Sequence, residues 1–107
     1  MSGEQGQTPG ILVYVSIGNS DDKLSQQQWS QFCLRLSTEV RQLVDDVFGE
    51  WYSAPDAPYQ NMCMGFMVAM HRVESMKAAL ERMRVEFGQD SIVWAPAVPM
   101  FLAGRAE

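Results

Sequence analysis

Two prolines, Pro55 and Pro58, stand three residues apart in Ala54-Pro55-Asp56-Ala57-Pro58. Each fixes φ and removes a backbone donor, so neither a helix nor a strand ladder continues through this stretch. Before it lies VFGEWYS (residues 47–53) and after it NMCMGFMVAM (residues 61–70). Two such runs joined by turn residues read as a hairpin. Met and Ala also suit a helix, but the proline turn and the internal Gly65 favour the second strand. A hairpin over residues 47–70 of 107 leaves 46 residues before it and 37 after it, and both flanks must be built around it.

The flanks mirror each other. Ile11-Leu12-Val13-Tyr14-Val15-Ser16-Ile17 is rich in β-branched and aromatic residues and stops at Gly18-Asn19, so it reads as a strand. Turn residues occupy 19–23. Ser25 and Gln28 then form an S-x-x-Q capping box, with Leu24 and Trp29 at the two staple positions. Trp29, Phe32, Cys33, Leu36, Val40 and Leu43 follow on one helical face, and the helix should end near Val44. After the hairpin, Val73, Met76, Leu80, Met83 and Phe87 mark an amphipathic helix over 73–87, stopped by Gly88. Ser91-Ile92-Val93-Trp94-Ala95 reads as the last strand, ended by Pro96.

The order β-α-β-β-α-β implies an α+β fold, the ferredoxin-like two-layer sandwich, with an antiparallel sheet of order 4-1-3-2 and both helices on one face. A two-layer plait with another strand order is the competitor. Residues 1–10 read as a flexible arm and residues 11–96 as the domain. In the tail, residues 97–107, the apolar Val98, Met100, Phe101 and Leu102 predict docking on the domain or on a partner.

Helices cover one face of such a sheet, and the other should be polar if it meets water. Here both faces of the central strands are apolar. Leu12 and Tyr14 alternate with Val13 and Val15, and Cys63, Gly65 and Met67 alternate with Met62, Met64 and Phe66. An apolar second face predicts a partner surface, and eight methionines fit one that repacks easily. Leu12, Tyr14, Cys63, Met67 and Trp94 are its expected residues.

The formal net charge is −5, and the densest basic segment, Arg72 to Arg84, is interleaved with Glu74 and Glu81. That argues against a nucleic-acid backbone as ligand. No apolar run is long enough to span a membrane, and residues 1–10 lack a signal-peptide core. Cys33 and Cys63 are thirty residues apart, without C-x-x-C, and read as small buried hydrophobes in a reducing, cytoplasmic setting.

In the expected topology three loops meet at one rim. They carry Asn19, Ser20, Asp21 and Asp22, then Asp56, Tyr59, Gln60 and Asn61, then Asp90 and Ser91. Such a rim could recognise a peptide or small ligand. Its spacing does not match a calcium loop, and Asp and Asn are also ordinary turn residues, so no metal is expected. His71, the single histidine, falls at the opposite end and cannot act as base to a nucleophile on the rim. No Ser-His-Asp set, H-E-x-x-H, Walker A or G-x-G-x-x-G occurs, so no catalytic residue and no cofactor is expected.

Three stretches carry a resemblance. Ile17-Gly18-Asn19-Ser20-Asp21-Asp22-Lys23-Leu24-Ser25-Gln26 with Trp29, Trp51-Tyr52-Ser53-Ala54-Pro55-Asp56-Ala57-Pro58, and Gln89-Asp90-Ser91-Ile92-Val93-Trp94-Ala95 resemble segments of small uncharacterised actinobacterial and phage-borne proteins. The resemblance implies a cytosolic accessory protein, of the kind a phage uses against a host target, and carries over no catalytic residue.

The expected function is a non-enzymatic protein-binding module that uses the apolar sheet face and the acidic rim. Its partner would be another protein or a second copy of itself. The rival is a dimeric ferredoxin-like sensor or enzyme with a small-molecule pocket between two sheets, lined by Tyr14, Met67 and Trp94.

Overall fold

In a computed structural model, residues 9–19, 21–98, 100 and 102 are described. The elements run β1 (Gly10–Gly18), α1 (Gln26–Leu43), β2 (Asp46–Tyr52), β3 (Asn61–Ala69), a 3-10 turn (Met70–Arg72), α2 (Val73–Glu86) and β4 (Val93–Ala97). The sheet order is β2-β3-β1-β4, all antiparallel, which is the expected order read from the other edge.

The capping box forms as the sequence predicts. The Ser25 side chain accepts from the Gln28 backbone N–H, and the Gln28 side chain accepts from Ser25 N–H at 2.8 Å. Leu24 and Trp29, the staple pair, are both buried. At the far end of α1, Arg72 Nη1 donates to the Leu43 carbonyl at 3.1 Å, satisfying one of the last-turn acceptors. Helix α2 stops at Gly88, whose φ of 64° is the left-handed conformation a helix C-terminus favours in glycine.

One core lies between the sheet and both helices. Val13, Val15, Met62, Met64, Phe66 and Val68 meet Phe32, Leu36 and Val40 of α1 and Met76, Leu80 and Met83 of α2 in a single buried cluster. Phe87 stacks on Phe32 at 4.7 Å between ring centroids and closes the core at the loop end. Both helices therefore cover the same sheet face. This architecture is a two-layer α+β sandwich.

The last strand departs from expectation. It begins two residues later, at Val93, and runs through Pro96 to Ala97. β4 is an edge strand, and a proline there is tolerated because the outer side has no ladder to lose. Val98, Met100 and Leu102 follow it, exposed to solvent. The remaining tail positions, and residues 1–8 of the expected arm, lie outside the described residues.

Candidate functional site

Strand register sets the uncovered face of the sheet in three cross-strand rows. Ala97, Leu12, Met67 and Asp46 form the first. Ala95, Tyr14, Gly65 and Gly49 form the second, and Val93, Ser16, Cys63 and Trp51 the third. Asp46, at one corner, is the only charged residue among them. Trp51, Met67 and Tyr14 are 50%, 41% and 37% exposed, values high for large apolar groups near a sheet centre.

The middle row is built by close approach. A Cβ on Gly65 would sit 2.7 Å from Tyr14 Cε1 and 3.3 Å from Trp51 Cζ3, and a Cβ on Gly49 would sit 2.7 Å from Trp51 Cζ2. The two rings therefore lie down over the two glycines, with centroids 6.3 Å apart. The result is a low aromatic floor, its two rings tilted 39° to each other, rather than a ridge of upright side chains.

Four of the five expected face residues, Leu12, Tyr14, Cys63 and Met67, lie on this open side. Trp94 does not. It pairs with Val15, one of the core-facing residues, and packs against the helix-side core. Lys77 Nζ lies 5.4 Å from its ring centroid. The physical reason is cover: the half-buried indole lies on the helix side, where with Ile92 it shares the lining of a recess of about 250 Å³ with Lys77, Leu80, Glu81 and Arg84 of α2. The aromatic that does occupy the open side is Trp51, which sequence reading left out. A bulge accounts for it. Between Val47 and Gly49 the register shifts at Phe48, so Val47 faces the core and Trp51 faces out, although both are odd-numbered positions of one strand.

The rim assembles at the Gly18 end of the sheet, but much of it is engaged. Asn19 is buried, with 2% exposure. Its Nδ2 donates to the Leu24 carbonyl and to Gln60 Oε1, both at 3.0 Å, and its Oδ1 accepts from Leu24 N–H at 3.0 Å. Asn19 is thus a clamp joining the β1–α1 loop to the hairpin. Gln60 and Gln26 exchange side-chain amide bonds at 2.8 and 3.0 Å. Asp21 and Asp90 both face Lys23, at 3.7 and 3.2 Å, and pull the lysine pKa up through the Asp90 hydrogen bond first. Asp22 takes φ 57° in the loop. Asp56, Tyr59 and Ser91 are exposed. Ser20 lies outside the described residues. Among the described residues no group of three or more His, Cys, Asp or Glu side chains could hold a metal.

A second polar cluster sits between α1 and the edge strand β2, beside a recess of about 470 Å³. Glu50 accepts from the Ser37 hydroxyl, from Arg41 Nη2 at 2.8 Å and from the Tyr52 hydroxyl at 3.0 Å. The Ser37 bond, with Arg41 and Tyr52 behind it, holds the Glu50 carboxyl below its ordinary range. Burial, followed by the Tyr52–Glu50 bond, pushes Tyr52 up to about 12. Burial and the same carboxylate push Cys33 up to about 11, which makes that thiol a poor nucleophile at neutral pH. The cluster fastens the helix to the sheet edge. His71 is exposed at the other end of the sheet, in the turn Met70–Arg72, far from these groups.

No helix among the described residues is long and apolar enough to cross a membrane. No family model and no curated protein matches the chain. Among solved structures it is similar to the crystal structure of an unknown protein from Galdieria sulphuraria, with a TM-score of 0.52 and 19% identity over 92% of this chain and 53% of that one. The chain thus spans about half the length of that protein, and the likeness concerns the fold alone.

Proposed function

We propose that the chain is a ferredoxin-like plait acting as a non-enzymatic binding module, and that the occupant of its open sheet face is a second copy of itself. The observation that carries the reading is the face: three largely apolar rows with Asp46 as their one charged residue and with Trp51, Tyr14 and Met67 half-exposed, in a chain where one residue in five is charged. Leaving such a patch in water is unfavourable, and large ones mark interaction sites. Four strands about 4.8 Å apart, paired over five to nine residues at about 3.4 Å each, give a face of roughly 300–600 Å² in plan. Shared by two copies it buries about 600–1,200 Å² in all, which reaches the lower end of specific interfaces. Asp46 alone lies on the border, so a second copy covers the rest of the face without burying a charge. The net charge of −5 on each copy opposes approach at long range, and salt should therefore strengthen the pairing.

Sedimentation velocity over a range of concentrations tests this, with Met67→Glu as the variant. Met67 is outside the core, so the variant keeps its fold. The full chain should sediment as a dimer that tightens with salt, and Met67→Glu as a monomer. A full chain that stays monomeric to about 1 mM, or a variant that still dimerises equally well, overturns the reading.

A further inference from the structure

β4 ends at Ala97, opposite Leu12. Continuing that register would set residue 99 opposite Gly10, where β1 begins, so the ladder has no room to go on. Five apolar residues follow the strand: Val98, Pro99, Met100, Phe101 and Leu102. Val98, Met100 and Leu102 are 95%, 81% and 90% exposed. A run of apolar residues kept in water is a liability unless it is used. These three leave the chain's own sheet face uncovered, since Tyr14, Met67 and Trp51 stay exposed beside them.

The dimensions match. Five extended residues at about 3.3 Å span about 17 Å, and a four-stranded sheet with strands about 4.8 Å apart is about 14–19 Å wide. Residues 98–102 are just long enough to cross all four strands once. Resting on the reading that a second copy covers the face, the geometry points to residues 98–102 as the part of that copy which does so. Each chain lays this arm across its partner's sheet, over Tyr14, Gly65 and Trp51, and the exchange is reciprocal. The arm leaves from the edge strand β4, and its described residues leave Tyr14, Met67 and Trp51 of their own sheet exposed, so the partner's face is its target.

Two measurements test the exchange. The first is a chain ending at Ala97, which retains every residue of the buried core. It should keep its circular dichroism spectrum, while its dimer dissociation constant rises at least tenfold above that of the full chain. The second uses the full-length chain with a nitroxide at Arg105→Cys and with Cys63→Ser to leave a single reactive thiol. This chain is mixed with an equal amount of nitrogen-15-labelled, nitroxide-free chain. Amide signals of Tyr14, Gly65 and Trp51 in the nitroxide-free copy should broaden. Broadening only when nitroxide and isotope share one chain means that the arm folds on its own sheet, and overturns the exchange. An unchanged dissociation constant after truncation also overturns it, and leaves the dimer itself standing. A full-length chain that remains a monomer removes both.

Discussion

The substitution Gly65→Ala isolates the geometry of the aromatic floor. The new Cβ would lie 2.7 Å from Tyr14 Cε1 and 3.3 Å from Trp51 Cζ3. Ordinary contact begins near 3.4 Å, so the tyrosine ring must rise by somewhat under an ångström. It can do so, because the nearest atoms belong to a side chain whose other side is open. Overpacking of this kind costs about 1–3 kcal/mol, and a displaced ring rotamer accounts for about 0.5–1.5 kcal/mol of that. Against it, replacing glycine by alanine within a strand recovers about 0.5–1 kcal/mol of unfolded-state entropy. The net change in the native background is a loss of about 0.5–2 kcal/mol. In a Tyr14→Ala background the clash with that ring is gone and only the weaker contact to Trp51 remains. The same substitution there should be neutral or stabilising by up to about 1 kcal/mol. Urea unfolding of all four chains of this cycle, at one protein concentration below the dimerisation range, gives the coupling directly. Coupling of about 0.5–3 kcal/mol, with the loss abolished or reversed in the Tyr14→Ala background, is the expected result. Equal effects of Gly65→Ala in both backgrounds would refute the claim that the ring rests on the glycine.

Two further outcomes follow from the titratable groups. A disulfide reagent at pH 8 should react with one thiol, Cys63 on the open face, because burial raises Cys33 to about 11 and leaves about one part in a thousand as thiolate. The Cys63 rate should fall as protein concentration rises through dimerisation; two equally fast thiols would contradict the placement of Cys33. Glu50→Gln should lower stability at pH 7 by about 1–2 kcal/mol, since the bonds from Ser37 and Arg41 lose their charged acceptor and the Tyr52 hydroxyl loses its acceptor oxygen. The Glu50 pKa is depressed in the folded chain, so its contribution is present above the ordinary carboxylate value of about 4.3 and disappears as pH falls through the depressed value. Thermal unfolding of both chains should therefore converge in acid; a gap that persists at pH 2 would show that the carboxylate charge is not its source.

What could be read from the chain was what local chemistry fixes. Ser25 and Gln28 bind each other's backbone within one helical turn, and the sequence contains both partners. The stripe from Trp29 to Val40 has the helical period, and it is the buried face of α1. In β1 and β3 the alternation of Val13 with Tyr14 and of Met64 with Gly65 holds without interruption over nine paired residues, so which residues share a face was legible. The Asn19 clamp was not. Its residue type suits a turn, a ligand or a buried bridge equally, and only the approach of Gln60 and Leu24, forty-one and five residues away in sequence, decides among them.

Trp94 and Trp51 escape the simple alternation for two different physical reasons. An alternating pattern says which residues lie together, and says nothing of which side the helices cover. For β1 and β3 the choice was harmless, because both faces are apolar and each has its own complete set. For β4 it was decisive, since a single choice sends Trp94 either to the open side or under α2, and the larger side chain goes where a helix can cover it. In β2 the extra residue at Phe48 breaks the period itself, so the parity that puts Val47 in the core would have hidden Trp51 beside it. Gly49 and Gly65 lie opposite each other, and that pairing carried the missing signal. Two small residues facing across neighbouring strands leave a shallow place in the sheet, and a large ring from an adjacent row must lie down to fill it. Tyr14 was already assigned to that side. Trp51 is the aromatic of β2 that comes back into phase with Gly49 once the bulge is counted, and the open face owes the second of its two rings to that one inserted residue.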